Sequence, residues 1–236
     1  MFGISTFCLH ADPLQSALDR LVEVTDYIEV MDEGLHFLRN ADRLENYSVK
    51  YSIHAPSRGT NLASLLEPIR RASVEVMGQC FAIAAEVNAN VVVHPGYFAW
   101  EEERKEAEIQ FVRSREELLD LADEFSVSFS FENMGNWPYF LLKTPEELSL
   151  IAGCGFALDV GHAHQNHCLA WFLPVKADHY HLHDNNAADD THDPVGAGTI
   201  NFEQVMDAVK KSGVTPVIEV ATFEGTLSSI EALKKI

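Results

Sequence analysis

Side chains of the types that bind metal ions recur along this chain, each at or just after a short apolar run. They are His54, His94, Glu132, Asp159, His162, His181, Asp190, His192 and Glu219. A single histidine or glutamate in such a place is usually a hydrogen-bonded or ion-paired structural residue. Several carboxylates gathered together repel one another unless cations lie between them. The pattern therefore predicts a divalent-metal site, provided that the fold brings these residues to one place.

Eight short apolar runs alternate with helical patterns, and the ligand-type residues lie within or after these runs. The runs cover residues 2–9, 27–31, 51–54, 91–94, 127–132, 156–160, 179–183 and 216–220. Most are rich in β-branched or aromatic residues, which is typical of buried parallel strands. Helical patterns are expected at 14–24, 35–44, 68–87, 101–125, 202–211 and 227–235, with a further start at Thr144-Pro145. Without a Gly-, Ser- or Pro-rich linker, the alternation predicts one α/β domain over residues 1–236.

Two folds fit this alternation: a closed (β/α)8 TIM barrel and an open doubly wound sheet. The six runs from the third to the eighth all end in, or lead into, residues of ligand type. In a barrel the C-terminal ends of all the strands converge on one mouth, whereas in an open sheet they cannot all meet. The chain of 236 residues also suits a barrel, which commonly has about 250. We therefore predict a single (β/α)8 TIM barrel.

The donor atoms of the predicted site are histidine nitrogens and carboxylate oxygens. Such a set suits zinc, manganese, iron, cobalt or magnesium, and its many histidines favour a transition metal. We expect zinc or manganese, with one to three ions. The four cysteines are dispersed and form no C-x-x-C pair, so free thiols in a reducing compartment are expected.

The charge balance limits the partners. The chain has 17 basic and 36 acidic residues and a formal charge of −19, and such a surface repels phosphate backbones. Arg58, Arg70 and Arg71 form the nearest small basic cluster, which we interpret as an ordinary solvated helix face. A small-molecule substrate is expected, and nucleic acid is not. The sequence has neither a membrane-spanning run nor a secretory leader pattern, so we expect a cytoplasmic protein; the oligomeric state stays open.

Several motifs make the sequence similar to a known superfamily. They are His94-Pro95-Gly96, Glu132-Asn133, Asp159-x-x-His162, His181-x-x-Asp184, and Asp190-x-His192 before Val195-Gly196-Ala197-Gly198. Together they resemble the xylose-isomerase-like TIM barrels, which include sugar isomerases and epimerases as well as endonuclease IV-type AP endonucleases. The resemblance runs nearly the full length of the chain.

The two branches imply different roles for the same residues. The sugar isomerases imply one metal held by Glu132, Asp159, His181 and Glu219. In that branch the two glutamates also pass a proton at the substrate carbon, and His162 contacts a substrate oxygen. The endonuclease IV branch implies a three-metal site that uses all nine residues named at the outset. Ala197 replaces an acid common in the family, and His183 replaces a lysine often found in the sugar enzymes.

Three functions remain in view. The first is a divalent-metal isomerase or epimerase acting on a sugar or small polyol, which the acidic charge favours. The second is an endonuclease IV-like hydrolase acting on abasic DNA or a small phosphoester, which the nine ligand-type residues favour. The third is a non-catalytic metal-binding or sensor protein. Aromatic residues after the fourth and fifth strands either stack on a substrate ring or pack within loops; they are Tyr97, Phe98, Trp100, Trp137, Tyr139 and Phe140.

Overall fold

Eight parallel strands close into a barrel in the computed structural model, which describes residues 2–236. The strands pair in sequence order, and the last pairs with the first. They are β1 (Gly3–Ser5), β2 (Tyr27–Met31), β3 (Lys50–His54), β4 (Asn90–Val93), β5 (Phe129–Glu132), β6 (Gly155–Asp159), β7 (His179–Leu182) and β8 (Val217–Ile218). The predicted fold class, a (β/α)8 TIM barrel, is confirmed.

Helices lie between most of the strands. They are α1 (Leu14–Leu21), α2 (Glu67–Glu86), α3 (Arg104–Phe125), α4 (Val160–Gln165), α5 (Leu169–Phe172), α6 (Phe202–Ser212) and α7 (Phe223–Leu233). The segment after the predicted start at Thr144-Pro145 is a 3-10 helix, Pro145–Ile151, which begins with a capping box formed by Thr144 and Glu147.

The helix predicted at 35–44 is wrong. Only a 3-10 turn, Gly34–His36, forms there, followed by irregular backbone. The buried Asp32 carboxylate accepts a hydrogen bond from the backbone N–H of Leu38, at 2.6 Å. His36 bonds through its ring to Thr6 and to the carbonyl of Asp12. These contacts tie the segment to its neighbours in a non-helical path, so tertiary contacts override its local pattern.

Alternation along each strand separates the outer core from the barrel interior. In β5, Phe129 and Phe131 face outwards, with ring centroids 5.2 Å from Phe81 of α2 and 4.9 Å from Phe111 of α3. Each buried phenylalanine contributes about 1.5–3 kcal/mol through burial. Because successive side chains point to opposite faces, Glu132 at the end of β5 points into the barrel. The same parity brings the interior residues of the other strands to one mouth.

Among residues 2–236, the helices are all too short or too polar to cross a membrane.

Candidate metal centre

Four side chains from four neighbouring strands converge inside the barrel mouth, and we call them the central set. Glu132 and Asp159 end β5 and β6, His181 lies in β7, and Glu219 follows β8. All four are buried. The Nδ1 atom of His181 lies 3.4 Å from Glu132 Oε1, 3.5 Å from Glu219 Oε2 and 3.8 Å from Asp159 Oδ2. Three carboxylates therefore surround one imidazole nitrogen.

The central set has the properties of a cation site. The Nε2 atom of His181 lies 2.7 Å from Glu29 Oε1; the ring therefore donates to Glu29 and turns Nδ1 towards the three carboxylates. Both Nδ1 of His181 and Oε1 of Glu219 are buried without a hydrogen-bond partner among the described residues. Such groups are costly to bury. A divalent ion bound to them removes this cost and offsets the repulsion between the carboxylates.

Glu29 is a residue next to the central set that the sequence pattern did not reveal. It lies in the middle of β2, is fully buried, and contacts His181 of the central set. Its second oxygen lies 2.8 Å from the Ser52 hydroxyl and 2.9 Å from His179 Nε2. Burial alone would raise the pKa of Glu29, and His181 and His179 instead hold it well below the usual range. The available signal was one glutamate at an inward-facing position of an apolar strand.

A second set shares Glu132 with the first and contains His54 and His94. The Nε2 atoms of the two histidines are 3.2 Å apart, and they lie 3.3 and 3.2 Å from Glu132 Oε2. His54 Nδ1 donates to the carbonyl of Ala55, at 3.0 Å, so the ring turns its Nε2 towards His94 and Glu132. Two imidazole nitrogens facing one carboxylate oxygen need a proton or a metal ion between them.

A third set, His162, Asp190 and His192, lies at the rim of the mouth. The Nε2 atoms of both histidines approach the same oxygen, Asp190 Oδ2, at 3.1 and 3.2 Å. Each ring is oriented from behind, since Nδ1 of His162 donates to the carbonyl of Asn133 and Nδ1 of His192 to that of Glu219. Both Nε2 atoms are thus free to bind a metal, as in sites where a backbone carbonyl fixes the ligand tautomer.

Asp184 holds the loop that carries two members of the third set. Its carboxylate accepts hydrogen bonds from the backbone N–H groups of Gly196 and Gly198, each at 2.9 Å, and from Ile200, at 3.1 Å. A side chain at position 198 would meet the Asp184 carboxylate and the Asn185 carbonyl at 2.4 Å, so only glycine fits there. The glycines of this motif therefore serve loop geometry, which the alanine at position 197 leaves intact.

The sets open into one cavity of about 520 Å3. Its lining combines side chains of the three sets, His54, His94, Glu132, His162, Asp190, His192 and Glu219, with the apolar or aromatic side chains of Phe7, Met31, Met134, Tyr97, Trp137 and Phe140. Such a volume and such a mixed lining suit a small molecule that carries polar groups. Of the aromatic residues whose role stayed open, Phe98 and Tyr139 instead pack on each other, at 5.6 Å.

Basic side chains are scarce around the cavity. Among the described residues that line it, Arg58 alone carries a lysine or arginine charge; its side chain is 83% exposed and lies 3.4 Å from Glu33. Arg70, which was interpreted as part of a solvated helix face, is instead buried; its guanidinium pairs with Glu67 and Glu117. Arg70 therefore stabilises α2 against α3 and offers no charge to a polyanion.

The sequence and the fold match those of known proteins. The model of the family described as "Xylose isomerase-like TIM barrel" matches residues 23–236. The chain belongs to this family. An uncharacterized protein of Methanocaldococcus jannaschii is 32% identical over 228 residues, which cover 92% of this chain and 90% of that protein. A solved structure described as a D-tagatose 3-epimerase-like protein has a TM-score of 0.91 and 31% identity, covering 99% of this chain and 96% of that one.

A relative from the other branch is also similar to this xylose isomerase-like chain. The protein named "Probable endonuclease 4" of Mycobacterium leprae is 27% identical over 214 residues, which cover 83% of this chain and 82% of that protein. Solved structures with the same fold include an L-ribulose 3-epimerase, with a TM-score of 0.67 and 20% identity, covering 98% of this chain and 86% of that one. The family membership thus leaves both sugar chemistry and phosphoester chemistry in view.

The structure of this family member brings all nine predicted ligand residues together. Each one belongs to the central, second or third set, and Glu132 belongs to two of them. Their roles as ligands and, for Glu132, Glu219 and His162, as catalytic residues remain predictions.

Neighbouring carboxylates raise the pKa of several histidines in the three sets. Burial would lower the pKa of His54, but Glu132 and Glu219 raise it to about 9. Burial also opposes the charge on His192, and its hydrogen bond to Asp190 together with Glu219 raises the pKa to about 9. His94 differs, because burial lowers its pKa. The surrounding carboxylates likewise raise the pKa values of His162 and His181 well above the usual range, against the effect of burial. These four predicted ligands must each lose a proton before they bind a metal.

Metal binding is therefore expected to release protons and to strengthen as the pH rises. The pKa values of His54 and His192 are about 9 in the metal-free chain, and those of His162 and His181 are raised well above the usual range. Affinity should therefore increase from pH 6 to at least about 9. Titration calorimetry with Co2+ and a competing chelator, repeated in buffers of different ionisation enthalpy, measures both the affinity and the number of protons released. An affinity that is independent of pH over this range, with no protons released, would contradict the assignment.

Proposed function

We propose that this protein is a divalent-metal-dependent isomerase or epimerase acting on a sugar or a related small polyol. The observation that carries the proposal is the arrangement of two buried glutamates, Glu132 and Glu219, at 3.4 and 3.5 Å from the same nitrogen of His181. This arrangement lies inside a cavity of small-molecule size. The D-tagatose 3-epimerase-like relative, at 31% identity, supports the same class of reaction.

The residues of the central set fit the group that such a reaction needs. Glu132, Asp159, His181 and Glu219 would hold the ion, for which zinc or manganese suits the nitrogen and oxygen donors best. A divalent ion bound there supplies a positive charge that polarises a substrate carbonyl and holds a neighbouring hydroxyl. The remaining steps belong to the chain's own side chains.

Two of those side chains can move the proton. Glu132 and Glu219 approach the centre from different strands, β5 and the end of β8. One takes the proton from the carbon next to the carbonyl, and the other returns it, on the same or the opposite face. Burial would raise the pKa of Glu132, and His181 and His94 hold it well below the usual range, so Glu132 begins as a base. His162, which lines the cavity, contacts a substrate oxygen.

The aromatic residues that line the cavity suit the body of a small substrate. Trp137 packs edge-on against Tyr97 and Phe140, with ring centroids 5.6 and 4.9 Å apart. Aromatic faces of this kind stack on the apolar face of a sugar ring. A small, uncharged polyol also fits the scarcity of lysine and arginine in the cavity.

Isotope exchange tests this function directly. Protein loaded with Zn2+ or Mn2+ is incubated in D2O with a panel of ketopentoses and ketohexoses, and deuterium at the carbon next to the carbonyl is measured by NMR. We expect exchange, and conversion to an epimer or aldose, that disappears after chelation. If no sugar in the panel exchanges a proton with stoichiometrically loaded protein, the isomerase proposal fails.

A second candidate, a phosphoester hydrolase, is favoured by one specific observation. The second and third sets complete a nine-residue constellation that a single-metal isomerase does not require. Two or three clustered divalent ions supply charge for the attacking and leaving oxygens of a phosphoester. Nicking of abasic duplex DNA at low salt, together with cleavage of bis(p-nitrophenyl) phosphate, tests this candidate with zinc or manganese. Activity on the small ester alone would fit the charge of −19 better than activity on DNA.

A further inference from the structure

His183 is a buried histidine that neither branch of the family resemblance assigns to the metal sets. It directly follows β7, and its side chain is fully buried. The ring occupies the space beside Gly161, where even a Cβ atom would come within 2.0 Å of His183 Cε1. Glycine at position 161 thus makes room for this ring, and the ring lies behind the ligands, away from the lining of the cavity.

The first contact of His183 is with a ligand of the central set. Its Nε2 atom lies 3.0 Å from Oδ1 and 3.1 Å from Oδ2 of Asp159. Asp159 Oδ1 also accepts the backbone N–H of His162, at 2.7 Å. Two donors therefore fix one edge of the carboxylate, and Oδ2 is left facing His181.

The second contact of His183 is with a ligand of the third set. The rings of His183 and His192 stack with centroids 3.9 Å apart and an interplanar angle of 15°. This stack restricts the tilt of His192, whose Nδ1 is already held by the carbonyl of Glu219. One side chain thus supports ligands that belong to two different sets.

The distances favour a supporting role over direct ligation. The nearest groups to His183 Nε2 are both oxygens of one carboxylate, at hydrogen-bond distance. The same atom is 3.9 Å from Asp190 Oδ1, whereas His162 and His192 approach Asp190 Oδ2 at 3.1 and 3.2 Å. His183 therefore lies in the position of a hydrogen-bond donor to Asp159.

We propose that His183 is a positioning residue that aligns Asp159 through a hydrogen bond and His192 through ring stacking, and so sets the affinity of the metal centre. Removing a residue that hydrogen-bonds to a metal ligand typically lowers the metal affinity by about 10–100-fold. The inference concerns metal binding and is independent of which reaction the centre performs.

The test compares His183→Leu, which loses the donor, with His183→Gln, whose amide can still donate to Asp159. His164→Gln is the matched control, because His164 lies on α4 and, within residues 2–236, its ring bonds to Thr199 Oγ1, at 2.8 Å, and to none of the predicted ligands. Metal-free proteins are titrated with Co2+ against a chelator, and the visible spectrum of bound Co2+ is recorded. We expect a 10–100-fold loss of affinity and an altered spectrum in His183→Leu. His183→Gln, which keeps the donor but loses the ring stack, should show a smaller loss, and the control should stay within a few-fold of wild type.

Two results would overturn the proposal. One is wild-type Co2+ affinity in His183→Leu. The other is an equal loss in His183→Gln and His183→Leu, which would mean that donation to Asp159 is not what matters. If thermal unfolding shows that His183→Leu does not fold, His183→Ala replaces it in the same comparison, with the same expected loss and the same contradicting outcomes.

Discussion

Replacing Glu132 by glutamine is expected to reduce proton exchange by a factor of about 100 to 10,000, the contribution typical of a general acid or base. Glu132 has the largest expected effect because it belongs to both the central and the second sets. Its two oxygens lie between His181 on one side and His54 and His94 on the other. The amide keeps the shape of the side chain, but it removes both the charge and the base.

The D2O exchange assay measures this loss, and the metal content of the same sample separates its two causes. Glu108→Gln is the matched control, because Glu108 lies on α3 in a surface ion pair with Arg104. The control should keep both wild-type exchange and wild-type metal content. Exchange by Glu132→Gln at the rate of the wild-type protein would exclude Glu132 as the base.

Replacing Glu29 by glutamine should weaken metal binding by about 10–100-fold, although Glu29 is not one of the predicted ligands. Glu29 accepts a hydrogen bond from His181 Nε2 at 2.7 Å, which keeps Nδ1 directed at the central set. A neutral amide makes the imidazole a poorer ligand and allows the opposite tautomer. Metal affinity, measured by competition with a chelator, should fall, and activity at saturating metal should recover in large part.

Ser52→Ala is the control for Glu29, because Ser52 contacts the same carboxylate at 2.8 Å and does not contact His181 among the interactions described. We expect an affinity within a few-fold of wild type. Equal losses in Glu29→Gln and Ser52→Ala would indicate a general disturbance of the barrel interior instead of a specific effect on His181.

Much of the fold could be predicted from the sequence, because short apolar runs mark the strands and ligand-type residues mark their ends. The runs ending in His54, Glu132 and Asp159 are short, apolar and terminated by ligand-type residues, and in a barrel such ends must converge. The helix predicted at 35–44 failed for a tertiary reason. Its backbone is held by the buried Asp32 carboxylate, and His36 is held by Thr6 and the carbonyl of Asp12, which lie in segments distant in sequence.

The supporting residues of the site could not be predicted in the same way. Glu29 is one acid in an apolar strand. It lies 152 positions from His181 in the sequence, and the closed barrel brings the two side chains within 2.7 Å of each other. The division of nine ligands into three sets depends likewise on ring orientations. Hydrogen bonds to the carbonyls of Ala55, Asn133 and Glu219 fix these orientations, and carbonyl positions leave no mark in the residue types.

Elemental analysis of metal bound per chain tests the central claim most directly. Purified protein is loaded with Zn2+ or Mn2+, freed of excess ion by gel filtration, and compared with the double variant Asp159→Asn/Glu219→Gln. We expect one tightly held ion per chain in the wild-type protein and its loss from the variant; two or three tight ions would favour the hydrolase. A wild-type protein that retains no stoichiometric ion, or a variant that retains the ion fully, would contradict a metal centre at the barrel mouth.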